Sequence, residues 1–502
     1  MSLIKNAAFN FLGAAVPAVL AIATIPYIVS VLGASDYGLL ALITSIVGYF
    51  ALLDINITAS STKYVSEFKA SGNALRLNET ICFGLLIYGA IGLIGMTGLY
   101  FAAHFLVTTV FSVPGDRHGE AVTAIQVAAL GFFFGQVQAY IQSLPGALMR
   151  FDVSGRVEAF FGTVVPLATI GLLFAGYGLV ELVWLRVGMS LLQGALVWYM
   201  LRKLLPTLRW TTPSKDIRNM MLSFSAYSFL SRLAALTYAN ADKLIIGARV
   251  GVTALTYFVV PATLANRVMS LFFRLSGVMF PHASALAAQG RLAELEHDYL
   301  LASRYLFFIN GAIALVLATL ANPILSLWLN PEFARAGVTV MVMIALAQWV
   351  DSTTNLPSLV NDGLGHPKVS GLFALGRAGL GLGLIFGGVW LFGIEGAAGA
   401  HLVASVIMSL AFVIYVHGRT VPIKLNALLR QAYLPALAVL LPVGVAGVLL
   451  MPWAQRGWPQ LITSAGAMGL LLLAGGLWRV CMPAHQRLIF TRIKRLRKPS
   501  SP

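Results

Sequence analysis

The segment AAFNFLGAAVPAVLAIATIPYIVSV, residues 7–31, is predominantly apolar, and Lys5 is the only basic residue before it. At 1.5 Å per residue, a helix of this length crosses the ~30 Å hydrocarbon core of a bilayer. It is too long for the apolar region of a signal peptide, and equally apolar segments follow it. We therefore expect it to be the first of many membrane-spanning helices.

The composition of the whole chain points the same way. Of its 502 residues, 58% are hydrophobic and only 10% are charged, and the mean hydropathy is +0.83. A soluble chain carries roughly 25% charged residues. We therefore predict an all-α polytopic membrane protein. Its two cysteines, Cys82 and Cys481, indicate no disulfide framework, and we expect neither a cofactor nor a metal.

Apolar runs separated by polar loops predict about fourteen spans. Most of the 34 Lys and Arg residues fall on one side of these spans, which places the N- and C-termini in the cytoplasm. This bias accounts for the net charge of +16 without nucleic acid. The predicted spans are 7–31, 39–65, 80–102, 121–148, 158–176, 180–201, 220–247, 255–281, 305–328, 338–360, 371–393, 397–417, 434–451 and 461–480.

The chain also contains an internal repeat. Gly33 of VLGASDYG and Gly251 of RVGVTALTY lie 218 residues apart, as do Gly72 and Gly290 in two inner loops. Six spans per repeat is an even number, so both halves insert in the same orientation, as two parallel bundles that can alternate access. The predicted domains are an N-terminal six-helix bundle (1–201), a cytoplasmic linker (202–219), a C-terminal six-helix bundle (220–418), two additional spans (434–481) and a basic cytoplasmic tail (482–502).

Four charged residues fall deep within predicted spans. Counting from the outer end of each span places Asp54, Arg232, Arg267 and Asp351 about 18–22 Å deep. Each charge costs about 2.5–3.5 kcal/mol there unless it is paired or hydrated. Arg274 lies seven residues after Arg267, on nearly the same helix face. The three arginines therefore predict a track that binds phosphate through paired hydrogen bonds.

An alternative interpretation is structural, with an Arg–Asp pair locking the two bundles together. Asp54, Asp242 and Asp351 are candidates for gating or for coupling to a cation. Neighbouring residues on a helix point about 100° apart, so Asp242 and Lys243 are not expected to be each other's main partner. We expect Lys243 to reach outwards and Asp242 to turn into the bundle, where Arg249 could pair with it.

The N-terminal half offers amides and aromatic rings. Gln138 and Gln142 share one face of the fourth span, which is typical either of helix–helix hydrogen bonding or of contacts to sugar hydroxyls. Tyr49 and Trp349 are candidates for stacking against sugars. This wall is predicted to be neutral, whereas the opposite wall is cationic, and the contrast favours a substrate with a charged head and a carbohydrate body.

Three stretches resemble a known family. They are NFLG…LGASDYGLLALI…YFALLDINITASSTKYVSEF (10–68), ADKLIIGARVGVTALTYFVVP (241–261) and ALAAQGRLAEL (285–295). They are similar to the polysaccharide-exporting flippases of the multidrug/oligosaccharidyl-lipid/polysaccharide superfamily. The likeness covers the whole chain and is greatest to Wzx-type flippases of O-antigen and exopolysaccharide repeat units.

The resemblance implies a MATE-like fold and the movement of an undecaprenyl-pyrophosphate-linked oligosaccharide across the bacterial inner membrane, from the cytoplasmic to the periplasmic leaflet. In related peptidoglycan-precursor flippases, cavity arginines bind the pyrophosphate. Arg232, Arg267 and Arg274 are the corresponding candidates here, although this chain has no Arg in its first span. The implied partners are the lipid-linked oligosaccharide, the bilayer and other polysaccharide assembly proteins.

Three other functions compete with this hypothesis. A cation-coupled drug antiporter of the same superfamily would favour acidic residues in the cavity, whereas arginines at least match the carboxylates here. A membrane glycosyltransferase or ligase would need a large outer loop with paired carboxylates, and every predicted outer loop is short. A scaffold that does not transport would have little reason to keep four charges in the membrane.

Overall fold

The computed structural model describes residues 3–50, 57–148, 150–273, 279, 283, 286, 287 and 289–482. This part of the chain is helical and contains no β-strand, which confirms the all-α fold class. Its main helices are α1 (Leu3–Phe50), α2 (Ile57–Ala70), α3 (Ala74–Phe105), α4 (His118–Ala147), α5 (Phe151–Phe174), α6 (Leu179–Leu204), α7 (Lys215–Arg249), α8 (Val252–Phe273), α9 (Leu292–Thr319), α10 (Ala321–Trp328), α11 (Pro331–Gly363), α12 (Pro367–Arg419), α13 (Leu434–Ala454) and α14 (Trp458–Gly475).

Ten helical segments in the described ranges are long and apolar enough to cross a membrane. The predicted count of fourteen spans is therefore not confirmed. Two long helices run through more than one predicted span, because α1 and α12 each continue across a non-helical glycine. Gly33 interrupts α1 with φ 77° and ψ 168°, and Gly393 interrupts α12 with φ 58° and ψ −134°.

The interruption in α12 is a reversal of the chain. On the two sides of Gly393, the backbones of Gly388 and Gly396 approach so closely that a side chain at either position would overlap the other residue. Further from the turn, the rings of Phe373 and Phe412 lie 5.3 Å apart, centroid to centroid. The two arms of α12 therefore run antiparallel, as predicted for spans 371–393 and 397–417.

Two turns at equivalent glycines support the predicted repeat. Gly72 and Gly290 have almost the same backbone conformation, with φ 70° and 72°. In the first turn, the N–H of Asn73 donates to the Phe68 carbonyl at 3.0 Å. In the second turn, the N–H of Arg291 donates to the Leu286 carbonyl at 2.9 Å. Phe68 and Leu286 are 218 residues apart, as are the two glycines. Both turns close a helix with a left-handed residue, a conformation that glycine adopts without steric cost.

The predicted linker is attached to α3. The Asn78 side chain donates to the Thr207 carbonyl at 2.9 Å, and Ser214 donates to Glu79 at 2.8 Å. Arg76 at the start of α3 forms an ion pair with Asp216. These contacts satisfy backbone and side-chain groups of the linker, so residues 207–216 lie along the first turns of α3 rather than forming a free tether.

The chain divides into two units by its internal contacts. The first unit comprises Met1–Val260 with Ala378–Ala397, and the second comprises Pro261–Arg377 with Ala398–Pro502. The first unit includes α7 and the start of α8, and there Thr256 donates its hydroxyl to the Ala34 carbonyl at 2.5 Å. The domain boundaries expected from the repeat, including the break at 202–219, stay a prediction.

In the second unit, α13 packs closely against both α9 and α14. Gly311 of α9 leaves room for Leu440 of α13 and for the indole of Trp349. Gly475 of α14 lies against Val439 in the same way. Small residues at such contacts let helix backbones approach each other, which is how membrane helices gain packing energy without a hydrophobic driving force.

The turn of α12 provides a test of the fold. Gly388→Val should destabilise the purified protein by about 1–3 kcal/mol or more, because its side chain would overlap the Gly396 backbone. Thermal unfolding in detergent measures the effect. Gly387→Val is the matched control, because the space beside Gly387 is open. Equal unfolding temperatures for the two variants would contradict the close approach of the two arms.

Candidate functional site

One face of α11 is polar from its middle to its C-terminal end. Gln348, Asp351, Asn355, Ser358 and Asp362 follow one another at intervals of three or four residues. This spacing places them on one side of a helix. We call this face the α11 polar stripe. It is set into a helix that is otherwise apolar enough to span a membrane.

Arg377 of α12 is bound to Asp351 in the middle of this stripe. Its two terminal nitrogens donate one to each carboxylate oxygen, in the forked arrangement that guanidinium favours. Nη2 of Arg377 also donates to the Ser405 hydroxyl at 3.0 Å. Ser409 donates to Asp351 Oδ1 at 3.4 Å. The ion pair therefore joins α11 to both arms of α12 within the second unit.

The pair lies well inside the helical segments. Asp351 is twelve residues before the end of α11, about 18 Å along the helix, and Arg377 is ten residues after the start of α12, about 15 Å. Their side chains remain 17% and 24% exposed. Removing one member of a buried pair costs about 3–5 kcal/mol, because the other charge is left uncompensated.

A second contact joins the stripe to α8. Gln348 donates its amide to Asn266 of α8 at 2.6 Å. The next residue on α8 is Arg267, a predicted phosphate-binding residue, and its side chain is exposed. Arg267 also belongs to the second unit. The structure thus places a predicted arginine on α8 and a second arginine on α12, each on a helix that contacts the same stripe.

Several predicted residues cannot be placed in this site. Asp54 and Arg274 lie outside the described residues. Tyr49 and Arg232 are within α1 and α7, but their side chains lie outside the described part of the chain. Their predicted roles stay predictions.

Among the described residues, Asp242 forms an ion pair with Lys243 and not with Arg249, which was one predicted possibility. Asp242 is buried, at 5% exposed, as predicted for a residue that turns into the bundle. Its carboxylate Oδ1 lies 3.2 Å from Nζ of the adjacent Lys243, and it also accepts the Lys243 backbone N–H at 2.7 Å. Arg249, the predicted alternative, lies over the ring of Trp390 at 4.2 Å. The flexible four-carbon side chain of Lys243 folds back towards Asp242. The prediction considered only the 100° separation of the two Cβ directions and missed this contact.

The structure describes the side chains of three residues that were predicted to contact sugars. Gln138 and Gln142 lie on α4, and Gln138 packs against Gly194 of α6. Oε1 of Gln142 is buried and has no hydrogen-bond partner among the described residues. Trp349 belongs to the second unit, where its indole N–H donates to the Phe307 carbonyl at 3.3 Å. These contacts fix the position of the Trp349 ring, and its stacking against sugars stays a prediction.

Two intramembrane arginines escaped sequence reasoning. Arg377, within GLFALGRAGLGL, is the partner of Asp351. Arg186 of α6 donates to the Thr44 hydroxyl at 2.9 Å in the first unit. The predicted neutral character of the N-terminal half is therefore wrong at α6. In both cases the only indication in the sequence was a single arginine within an apolar segment.

The chain matches the family model described as polysaccharide biosynthesis protein over residues 28–337. Among curated proteins, it is 19% identical to the "Uncharacterized membrane protein EpsK" of Bacillus subtilis, covering 94% of each chain. It is 18% identical to the "Putative O-antigen transporter" of Shigella flexneri, over 79% of this chain and 94% of that protein.

Solved structures support the predicted MATE-like fold. The lipid II flippase MurJ, in an inward closed conformation, matches with a TM-score of 0.72 and 14% identity, over 93% of this chain and 97% of MurJ. An inward-facing multidrug resistance MATE family transporter matches with a TM-score of 0.63 and 15% identity, over 83% of this chain and 96% of the transporter. The solved structures show the fold, and the family match, which covers more than half of the chain, shows that it belongs to the polysaccharide biosynthesis protein family.

Proposed function

We propose that this protein moves an undecaprenyl-pyrophosphate-linked oligosaccharide from the cytoplasmic to the periplasmic leaflet of the bacterial inner membrane, for the synthesis of a surface polysaccharide. The N- and C-termini lie in the cytoplasm. The protein acts as a transporter rather than an enzyme, and other polysaccharide assembly proteins supply and consume its substrate.

The observation that carries this proposal is the exposed Arg267 on α8, beside the amide bridge from Asn266 to Gln348. A cation on a membrane helix must be matched by a counter-ion, water or a ligand, and the exposed guanidinium of Arg267 is accessible to an anionic ligand. The forked guanidinium matches the oxygens of a diphosphate. Arg232 and Arg274 are proposed to contribute to the same diphosphate contact.

The substrate poses a physical problem that such a site solves. Transferring a diphosphate and several sugars through hydrocarbon unaided is prohibitively costly, whereas the polyprenyl chain is stable within the bilayer. A protein that binds the diphosphate at arginines and the sugars at amides, such as Gln138 and Gln142, removes the polar part of this cost. The lipid chain never needs to leave the membrane.

The described carboxylates weigh against a cation-coupled drug antiporter. Asp242 is bonded to Lys243, and Asp351 is bonded to Arg377. An acidic cavity for organic cations would need carboxylates that are not already neutralised by a basic side chain. Gating or ion coupling by Asp54, Asp242 and Asp351 remains part of the proposal.

Deletion of the gene should cause a polyprenyl-diphosphate-linked oligosaccharide to accumulate in the cytoplasmic leaflet. Lipid extraction followed by mass spectrometry identifies the lipid, and its protection from an external glycosidase gives the leaflet. Accumulation of a lipid that lacks its complete oligosaccharide would instead assign the protein to a synthetic step and would refute transport.

Arg267→Ala should reduce surface polysaccharide by on the order of tenfold or more, because charge-assisted hydrogen bonds to a diphosphate contribute about 1.5–3 kcal/mol. Complementation of the deletion strain, with protein level checked in membranes, measures the effect. Arg249→Ala is the matched control, because Arg249 contacts Trp390 and is not assigned to the substrate. Wild-type polysaccharide in the Arg267→Ala strain would remove Arg267 from the substrate site.

A further inference from the structure

We propose that Arg377 is a second diphosphate-binding residue and that Asp351 occupies it as an internal substitute when no substrate is bound. This inference rests on the proposed function, because it assumes a lipid-linked diphosphate as the substrate. It assigns a ligand contact to a residue that sequence reasoning had not connected with the substrate.

The first argument is the geometry of the pair. Arg377 presents both terminal nitrogens to the two oxygens of Asp351. A phosphate group offers two oxygens in the same forked arrangement, so it can accept the same two hydrogen bonds. A carboxylate that carries one negative charge is a weaker ligand for guanidinium than a diphosphate, which carries more charge.

The second argument is the position of the pair relative to Arg267. Gln348 and Asp351 are three residues apart on α11, so their Cβ atoms are about 5–6 Å apart on one face. Gln348 contacts α8 at the residue before Arg267, and Asp351 contacts Arg377 of α12. The two arginines therefore come from helices that flank one short stretch of the α11 polar stripe.

The third argument is that both side chains keep a hydrogen-bond partner during the exchange. Ser409 already donates to Asp351, and Ser405 already accepts from Arg377. When a diphosphate replaces Asp351 at Arg377, the released carboxylate keeps the Ser409 hydroxyl, and Arg377 keeps Ser405. Both side chains are also partly exposed, at 17% and 24%, so an anion can approach them without unfolding the helices.

A purely structural role makes a different prediction from this exchange. If the pair only locks α12 to α11, removal of the Asp351 charge weakens the fold and leaves ligand affinity unchanged or lower. If Asp351 competes with the substrate, removal of its charge increases the fraction of protein with Arg377 available. The apparent affinity for a diphosphate then rises.

The test measures binding of undecaprenyl diphosphate to the full-length protein in nanodiscs, with undecaprenyl monophosphate and inorganic pyrophosphate as comparison ligands. Asp351→Asn should lower the apparent Kd for undecaprenyl diphosphate on the order of tenfold. Arg377→Lys keeps a charge beside Asp351 but lacks the fork, and it should raise that Kd on the order of tenfold. Arg456→Gln is the control, because Arg456 lies over Trp453 at 5.1 Å, away from the stripe.

Unchanged or weaker binding by folded Asp351→Asn would overturn the inference. Where Asp351→Asn does not fold, an unchanged Kd for Arg377→Lys overturns it instead. Inorganic pyrophosphate that binds as tightly as the lipid would assign the pair to a free anion and also contradict it. Wild-type protein that does not bind the lipid refutes the proposed function itself, whereas normal wild-type binding with unaffected variants refutes only the role of Arg377.

Discussion

Hydrocarbon provides no hydrogen bonds, and this constraint shapes the protein from its backbone to its charged side chains. Helices satisfy their own backbone groups, which explains why the described membrane segments are helices and not strands. A charged side chain has no such internal solution and must find a counter-ion, water or a ligand. The pairing of Arg377 with Asp351 is one such solution, since the fork and two serines satisfy the charges of both residues.

The same constraint explains why the polar groups of the second unit follow one helix face. On α11, Gln348 reaches Asn266 of α8, Asp351 reaches α12, and Ser358 donates to Ser370 of α12 at 3.2 Å. A stripe of this kind cannot face acyl chains at low cost. It provides a polar surface from the middle of α11 to its C-terminal end, which suits a head group that must remain hydrated while its lipid tail stays in the bilayer.

Local and periodic features of the fold were predictable from the sequence. Gly72 and Gly290 were predicted as equivalent positions because the sequence repeats there, and both adopt the same left-handed turn. The number of spans stays a prediction, although the turn at Gly393 does lie between the predicted spans 371–393 and 397–417.

The candidate site was predictable only in part. The depth of a residue along its helix can be counted from the sequence, but the identity of the helices that pack beside it cannot be read in this way. Asp351 was predicted to lie deep in the membrane, but its partner comes from α12, whose register against α11 depends on long-range packing. The contact between Lys243 and Asp242 was missed for a local reason. The prediction considered only the directions of the two Cβ atoms and not the length and flexibility of the lysine side chain.

The most direct test of the whole account is transport by purified protein in liposomes, measured with a fluorescent undecaprenyl-diphosphate-linked oligosaccharide and an impermeant quencher. The account predicts that the wild-type protein exposes the inner-leaflet probe to the quencher and that Arg267→Ala does not. Equal quenching with wild-type protein and with empty liposomes would contradict it.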